Sequence, residues 1–202
     1  MKNNREYRDL KIEVEKREEG EPSYIVRGYA STFEPYVLFE DEGVQYKEVI
    51  DPHAFDECDM SDVVFRVDHE GAVYARSSAG TLKVSVDEHG LMDEADLSKT
   101  SRGRELFEEI AAGNYPKQSF AFIVREDSYD KETHTRTIIK IQKLFDVSPV
   151  SFPANPGTEL DIATRDYFNG VIEMEKAERL ESEKREKARK ALELKLKIYE
   201  RK

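Results

Sequence analysis

The feature that most constrains the fold is the point at which proline and glycine stop. The 202-residue chain has seven prolines and ten glycines, yet no proline follows Pro156 and no glycine follows Gly170. These residues interrupt helices, so the earlier part favours short elements joined by turns and the later part can form one long helix. We therefore predict a compact body over residues 1–162 and a helical tail over residues 163–202.

The tail carries a pattern of charge that is typical of an exposed helix. Several glutamates precede a basic residue by four positions, which is the favourable order on a helix. These pairs are Glu175/Arg179, Glu181/Arg185, Glu183/Lys187 and Glu186/Lys190. Apolar residues return after Ala188. The pattern predicts a solvated helix with a weak coiled-coil tip.

The body reads mainly as short strands. Alternating apolar and polar residues predict them at 10–14, 24–30, 46–50, 62–67, 81–86, 91–97, 117–124 and 135–145, with a last strand broken by prolines at 146–153. Short helices are predicted after Asp51-Pro52 and from Thr100 or Ser101 to Gly113. Residues 31–45 and 126–133 are expected to be loops. The fold class is therefore α+β, with a mostly β body, a few short helices and a long charged C-terminal helix.

Composition excludes several classes of function. The net charge is −11, and residues 163–202 carry 12 basic and nine acidic side chains, so residues 1–162 have a net charge of −14. Such an acidic body argues against nonspecific nucleic-acid binding. The single cysteine, Cys58, excludes an internal disulfide or a cysteine-based zinc cluster. Because no membrane-length apolar run or signal-peptide core occurs, we expect a soluble intracellular protein without a metal or cofactor.

A serine and a histidine are the candidates for chemistry. Ser119 opens a strand, and His69 ends another whose residues have a buried character. Nucleophilic catalysis needs a hydroxyl, a base within hydrogen-bond reach and a group that orients the base. Two strand ends could meet at one rim of a sheet, although a surface serine and a structural histidine fit the same residues. The four histidines have no HExxH spacing.

The order of short motifs along the body resembles that of the HK97-type prohead maturation proteases of tailed bacteriophages. The matching segments span residues 28–156, and their order and spacing make the match specific. They are Gly28–Phe33, Val49–Phe55 (similar to PGAF), Val67–Glu70 (NHD), Asp87–Leu91, Lys117–Phe122 (SxGF) and Asp146–Pro156 (EVSLVxxPANP).

The resemblance implies a mainly antiparallel β-barrel or sheet body, similar to the herpesvirus assembly proteases, and a serine endopeptidase activity. It implies Ser119 as the nucleophile, His69 as the general base and Asp146 as the third member. The family usually has glutamate where Asp146 stands, and the herpesvirus relatives use a second histidine. His89 or His134 is therefore the alternative third member. Backbone N–H groups near Ser119, Arg102 or Arg125 are candidates for an oxyanion hole.

Three further positions depart from the family pattern. His53 replaces the glycine of PGAF, Asp68 replaces the asparagine beside the base, and Ala121 stands where a glycine is usual. A glycine two residues after the nucleophile would let another group approach the backbone closely. The methyl group of Ala121 is therefore expected to limit which groups fit at this position.

The family implies a phage or prophage protease inside the assembling procapsid, in the host cytoplasm. It would cleave scaffold segments of the major capsid protein and then itself, with the tail as a targeting or dimerising element. The alternative is a noncatalytic scaffold or assembly protein, in which the β body binds capsid subunits and the helix oligomerises. Neither reading predicts specific nucleic-acid or membrane binding.

Overall fold

The computed structural model describes residues 5–11, 24–151 and 162–199, in two compact units, Met1–Asp161 and Ile162–Lys202. The described strands are β1 (Glu6–Lys11), β2 (Ile25–Thr32), β3 (Tyr36–Asp41), β4 (Val44–Ile50), β5 (Val64–Val67), β6 (Glu70–Arg76), β7 (Leu82–Val86), β8 (Gly90–Asp96), β9 (Lys117–Asp130) and β10 (Thr135–Val150). The helices are α1 (Ser101–Ala111) and α2 (Ile162–Tyr199), and Ser77–Ala79 form one 3₁₀ turn.

The strands form two sheets, which confirms the predicted α+β class. The larger sheet has the order β1-β9-β10-β4-β3. In addition, β5 pairs with the C-terminal end of β10, and β6 pairs with β5. The smaller sheet has the order β2-β8-β7. Most pairs are antiparallel, but β4 and β5 both run parallel to β10. Within the described ranges the sheets remain open, and no closed barrel forms.

The strands β9 and β10 form a long hairpin in the interior of the larger sheet. The prediction of a loop at 126–133 was wrong, because β9 continues to Asp130 and only a short turn precedes Thr135. The outer half of the hairpin is polar and largely exposed. Its ladder hydrogen bonds are made by the backbone whatever the side chains, which is why polarity misled the sequence-based prediction.

Two other local predictions were also wrong. The segment 31–45 contains β3, which pairs with β4 across a two-residue turn at Glu42 (φ 49°) and Gly43 (φ 82°). Positive φ at both positions defines the type I′ hairpin turn. The helix expected after Asp51 is a run of turns instead, in which the Asp51 carboxylate accepts a hydrogen bond from the His53 N–H at 2.8 Å.

A hydrophobic core is shared by the two sheets and α1. Its fully buried large side chains include Phe65, Leu91, Leu97, Phe120, Phe122, Ile138, Ile141 and Leu144. The helix α1 begins as predicted, because the Thr100 hydroxyl accepts the Gly103 N–H at 2.9 Å, and Gly113 (φ 87°) follows its end.

Buried charges join β1 to the centre of the larger sheet. Arg8 contacts Glu48 on β4 at 2.5 Å and Glu6 at 2.6 Å. Arg136 on β10 contacts Glu6 at 2.7 Å and Glu48 at 3.2 Å. All four residues are at most 5% exposed. Removing one member would leave a buried charge uncompensated, so this network fixes the place of β1 beside β9.

The tail is helical over the described residues Ile162–Tyr199. Leu180, Leu192 and Leu194 are exposed on it. Within the described ranges, neither helix has the apolar length needed to cross a lipid bilayer. Most of the first predicted strand and the motif residues 152–156 lie outside the described residues.

Candidate active site

Ser119 lies on β9 between two antiparallel partners. It is opposite Asp9 of β1 on one side and Ser148 of β10 on the other. The residue is completely buried, so the interpretation of Ser119 as a surface residue is wrong. Its side chain alternates with those of its neighbours, and therefore points away from the face that carries Gln118, Phe120 and Phe122.

His69 lies in a two-residue turn that joins β5 to β6. Asp68 (φ 48°) and His69 (φ 57°) both have positive φ, and Val67 pairs with Glu70 across the turn. The left-handed region is uncommon for residues other than glycine, and such strain tends to occur at functional sites. The sequence placed His69 at a strand end but did not reveal β6.

Contacts with the end of β10 hold this turn in place. The Asp68 N–H donates to the Pro149 carbonyl at 3.1 Å. The Asp68 carboxylate accepts the Ser151 N–H at 2.8 Å and the Ser151 hydroxyl at 2.9 Å. These three hydrogen bonds compensate for the strained backbone and fix the direction in which the imidazole of His69 projects.

The three sequence-predicted site residues come together in one hydrogen-bonded chain. The Ser119 Oγ lies 2.7 Å from His69 Nε2, and His69 Nδ1 lies 2.6 Å from Asp146 Oδ1. The side chain of His69 is 16% exposed and that of Asp146 is 2% exposed. Since a carboxylate can only accept, Nδ1 carries the proton and Nε2 is free to accept the proton of Ser119.

Strand pairing explains how aspartate reaches His69 in place of the longer glutamate. Asp146 is opposite Ala121 on one side and opposite Val64 of β5 on the other. Because β5 runs directly into the turn that carries His69, β10 and the histidine are brought close together. A carboxylate one methylene shorter therefore still makes a 2.6 Å contact.

Ser148 also belongs to the group of hydrogen-bonded side chains around Asp146, although the sequence analysis did not identify it. Its hydroxyl donates to Asp146 Oδ1 at 2.7 Å, and the residue is completely buried. Asp146 and Ser148 are two positions apart on β10, so they share one face of the strand. The i,i+2 spacing was the available signal, but the adjacent Pro149 drew attention to a strand break instead.

The alternative histidines lie in other surroundings. The His89 ring is exposed and packs at 6.0 Å from the Tyr29 ring, between centroids. The His134 ring lies 5.4 Å from that of Tyr46. Both ring nitrogens of His69 are already occupied by Ser119 and Asp146. The geometry therefore favours Asp146 as the group that orients His69.

The two arginines named as oxyanion candidates make contacts of their own. Arg125 forms an exposed ion pair with Glu57 at 2.9 Å. The Arg102 guanidinium lies over the Tyr74 ring, 5.6 Å from its centroid. Neither of these arginine contacts is a hydrogen bond to Ser119, His69 or Asp146.

Ala121, which stands where the family usually has glycine, is fully buried.

Within the described ranges, neither the cysteine nor a metal-binding cluster offers a competing site. Burial raises the pKa of the Cys58 thiol to about 11, so it carries little of the thiolate that a cysteine nucleophile needs. Among the described side chains, no group of three or more histidine, cysteine or acidic residues could hold a metal ion.

A buried hydroxyl, an imidazole and a carboxylate joined in this order form the arrangement found in serine peptidases. The chain belongs to the caudovirus prohead serine protease family, whose model matches residues 10–171. This confirms the resemblance on which the site residues were chosen. No curated protein and no solved structure matches the chain.

Proposed function

We propose that the chain is an active serine endopeptidase of procapsid maturation, with Ser119 as nucleophile, His69 as general base and Asp146 as the orienting carboxylate. Family membership supports a prohead serine protease in general. The observation that carries the specific proposal is the continuous hydrogen-bonded chain from Ser119 Oγ through both nitrogens of His69 to Asp146.

In the acylation step, Ser119 Oγ attacks the carbonyl carbon of the scissile peptide bond while His69 Nε2 takes the hydroxyl proton. The imidazolium that forms is stabilised by the Asp146 carboxylate through Nδ1–H. His69 then gives the proton to the leaving amine, so the C–N bond breaks and the peptide remains bound to Ser119 as an ester.

In the deacylation step, a water molecule replaces the departed amine. His69 Nε2 takes a proton from this water while the water oxygen attacks the ester carbonyl. The bond between the carbonyl carbon and Ser119 Oγ then breaks, His69 returns the proton to Oγ, and the peptide leaves with a new carboxyl terminus. Ser148 keeps Asp146 Oδ1 in place during both steps, because it donates a hydrogen bond to the atom that faces Nδ1.

The resting site is closed to a peptide substrate. Ser119 has no exposed surface, and the Tyr7 ring packs edge-on against the His69 ring with 4.6 Å between centroids. A substrate carbonyl must come within bonding distance of Oγ, so side chains over the site have to move first. Tyr7 is one side chain that would have to move, because its ring contacts His69 directly.

The substrates that fit this proposal are scaffold segments of the major capsid protein and the chain itself, inside the assembling procapsid in the host cytoplasm. Residues 1–162 would form the protease body. Residues 163–202 would form a tail for targeting or self-association, and its net charge of +3 is opposite to that of the body. This uneven charge suits docking onto a charged scaffold surface, because long-range electrostatic attraction steers the encounter.

The test is to co-express the chain with its cognate major capsid protein and to identify the products by mass spectrometry. The wild type is expected to cleave the capsid protein, whereas Ser119→Ala leaves it intact. Ser128→Ala is the matched control, because Ser128 lies on the same strand and is exposed. Equal cleavage by wild type and Ser119→Ala would refute Ser119 as nucleophile.

The same experiment addresses a noncatalytic scaffold role. In that case neither the wild type nor Ser119→Ala would cleave the capsid protein, and both would support the same yield of assembled shells. A cut that appears only with the wild type is inconsistent with that role.

A further inference from the structure

A second polar pair lies directly behind the nucleophile. Gln118 precedes Ser119 on β9, so its side chain points to the opposite face, towards the smaller sheet. There its amide N–H donates to Asp93 Oδ1 on β8. Both residues are completely buried. This hydrogen bond therefore joins the two sheets one residue away from Ser119.

The pair is incomplete as long as Asp93 is a carboxylate. Asp93 Oδ2 and Gln118 Oε1 are both buried, and neither has a hydrogen-bond partner among the described residues. Gly28 of β2 lies opposite Asp93, and a Cβ at position 28 would overlap Gln118 Oε1. The amide of Gln118 thus lies against the Gly28–Asp93 pair, with its carbonyl oxygen next to Gly28.

Two buried acceptors left unpaired are costly, and one proton can satisfy both. We propose that Asp93 is a neutral carboxylic acid whose Oδ2–H donates to Gln118 Oε1, closing a cyclic acid–amide pair that positions β9 behind Ser119. Asp93 is then a positioning residue and does not touch the substrate. Its effect on catalysis rests on the proposed function, whereas its protonation state does not.

The electrostatic surroundings agree with a neutral group. Burial raises the pKa of Asp93 to about 8, with the Gln118 amide as the opposing influence, and no charged side chain contributes. From β9 Asp93 faces the Gln118 amide, and from β2 it faces a glycine. The neighbouring Glu94 points to the other face of β8, where it pairs with Arg27 and Lys83.

The sign of the resulting pH dependence is fixed. The pKa of Asp93 in the folded protein lies above its ordinary value of 3.8. The folded state therefore holds a proton that the unfolded state has released, and stability falls as pH rises between these two values. Over that interval this group raises the unfolding equilibrium constant about tenfold per pH unit. Above about pH 8 the effect levels off.

The test compares the urea unfolding of the full chain with that of Asp93→Asn between pH 5.5 and 7.5. Asparagine can donate to Gln118 Oε1 and accept from its amide N–H, so it reproduces the closed pair at every pH. The ratio of the wild-type to the variant unfolding constant is expected to rise about tenfold per pH unit. Asp62→Asn is the control. The pKa of exposed Asp62 is lowered to about 2 by Arg76, so its ratio stays constant over this range.

An infrared spectrum at pH 6.5 provides a direct readout. The wild type is expected to show the C=O stretching band of a protonated carboxylic acid, and Asp93→Asn to lack it. A pH-independent ratio together with no such band would overturn the proposal, since Asp93 would then be ionised. Both measurements are independent of protease activity.

Catalysis tests the positioning role separately. Asp93→Leu is expected to lower kcat for capsid-protein cleavage with little change in KM. Asp93→Asn is expected to keep a kcat close to that of the wild type. If Asp93→Leu does not fold, the kcat of Asp93→Asn decides alone, because a value within about threefold of wild type is expected. Loss of kcat in a folded Asp93→Asn protein would refute the positioning role. If the wild type itself does not cleave, the proposed function fails and the protonation result stands.

Discussion

Replacing Asp146 with asparagine tests whether its charge acts on His69. The carboxylate oxygen lies 2.6 Å from His69 Nδ1 in a residue that is 2% exposed. When His69 takes the Ser119 proton, the new positive charge lies about 4 Å from the centre of the carboxylate. At an effective dielectric constant of about 20, that interaction amounts to about 4 kcal/mol.

Asparagine keeps the shape of the side chain but removes this interaction. Because about 1.4 kcal/mol corresponds to a factor of ten in rate, kcat is expected to fall by about 10³-fold. If the amide group turns its NH₂ towards Nδ1, the wrong tautomer of His69 is stabilised, and the loss approaches about 10⁴-fold. KM is expected to change little, since Asp146 is buried beneath His69.

The assay is single-turnover cleavage of purified capsid protein, followed by mass spectrometry. The exposed carboxylate Asp56, which pairs with His53 at 3.1 Å, supplies the control Asp56→Asn. Urea unfolding of each variant shows whether the fold is retained. Cleavage by a folded Asp146→Asn protein within about threefold of wild type would remove Asp146 from the catalytic group.

Two further predictions concern residues that position the site. Ser148→Ala removes a hydrogen bond to a buried carboxylate, worth about 1.5–3 kcal/mol, and is expected to lower kcat about tenfold; unchanged single-turnover kinetics would contradict this. Asp68→Ala places alanine at φ 48° and removes two acceptor contacts with Ser151. It is expected to lower both the free energy of unfolding, by about 1–3 kcal/mol, and the cleavage rate, whereas Asp68→Asn, which retains an acceptor and tolerates positive φ, stays near wild type. Equal unfolding curves for the two Asp68 variants would show that the turn is not held by these contacts.

Local sequence pattern was sufficient for most of the fold. Alternating residues correctly indicated β7 and β8, and the Thr100 cap and Gly113 correctly bounded α1. The pattern failed where a strand is polar or its apolar residues do not alternate with polar ones, as in β3, β6 and the outer half of β9. Such strands form because a neighbour offers backbone partners, and that information is not local.

The candidate site shows the same division. Ser119 and His69 could be singled out as polar residues at strand ends, and the family motifs joined them to Asp146. Their meeting depends on the parallel pairing of β5 with β10, which joins segments about 80 residues apart and which no periodicity reveals. Ser148 and Asp68 were therefore missed as supporting residues.

The sequence carries a signal for the buried pair of Gln118 and Asp93. In the strand from Leu91 to Leu97, the face that carries Leu91, Ala95 and Leu97 is interrupted by Asp93. An acidic residue in the apolar register of a strand is a sign of a buried polar contact. The chain has 43 acidic residues, and this abundance hid the one whose position was unusual.

The place of Ser119 in the middle of a three-strand ladder limits where transition-state charge can be stabilised. Each N–H of a strand flanked by two antiparallel partners is directed at one or the other of them, and β9 has β1 and β10 on its two sides at this point. The peptide N–H groups of β9 around Ser119 are therefore committed to the sheet. In the proposed mechanism, any backbone donor for the tetrahedral oxyanion must therefore come from a strand or loop other than β9.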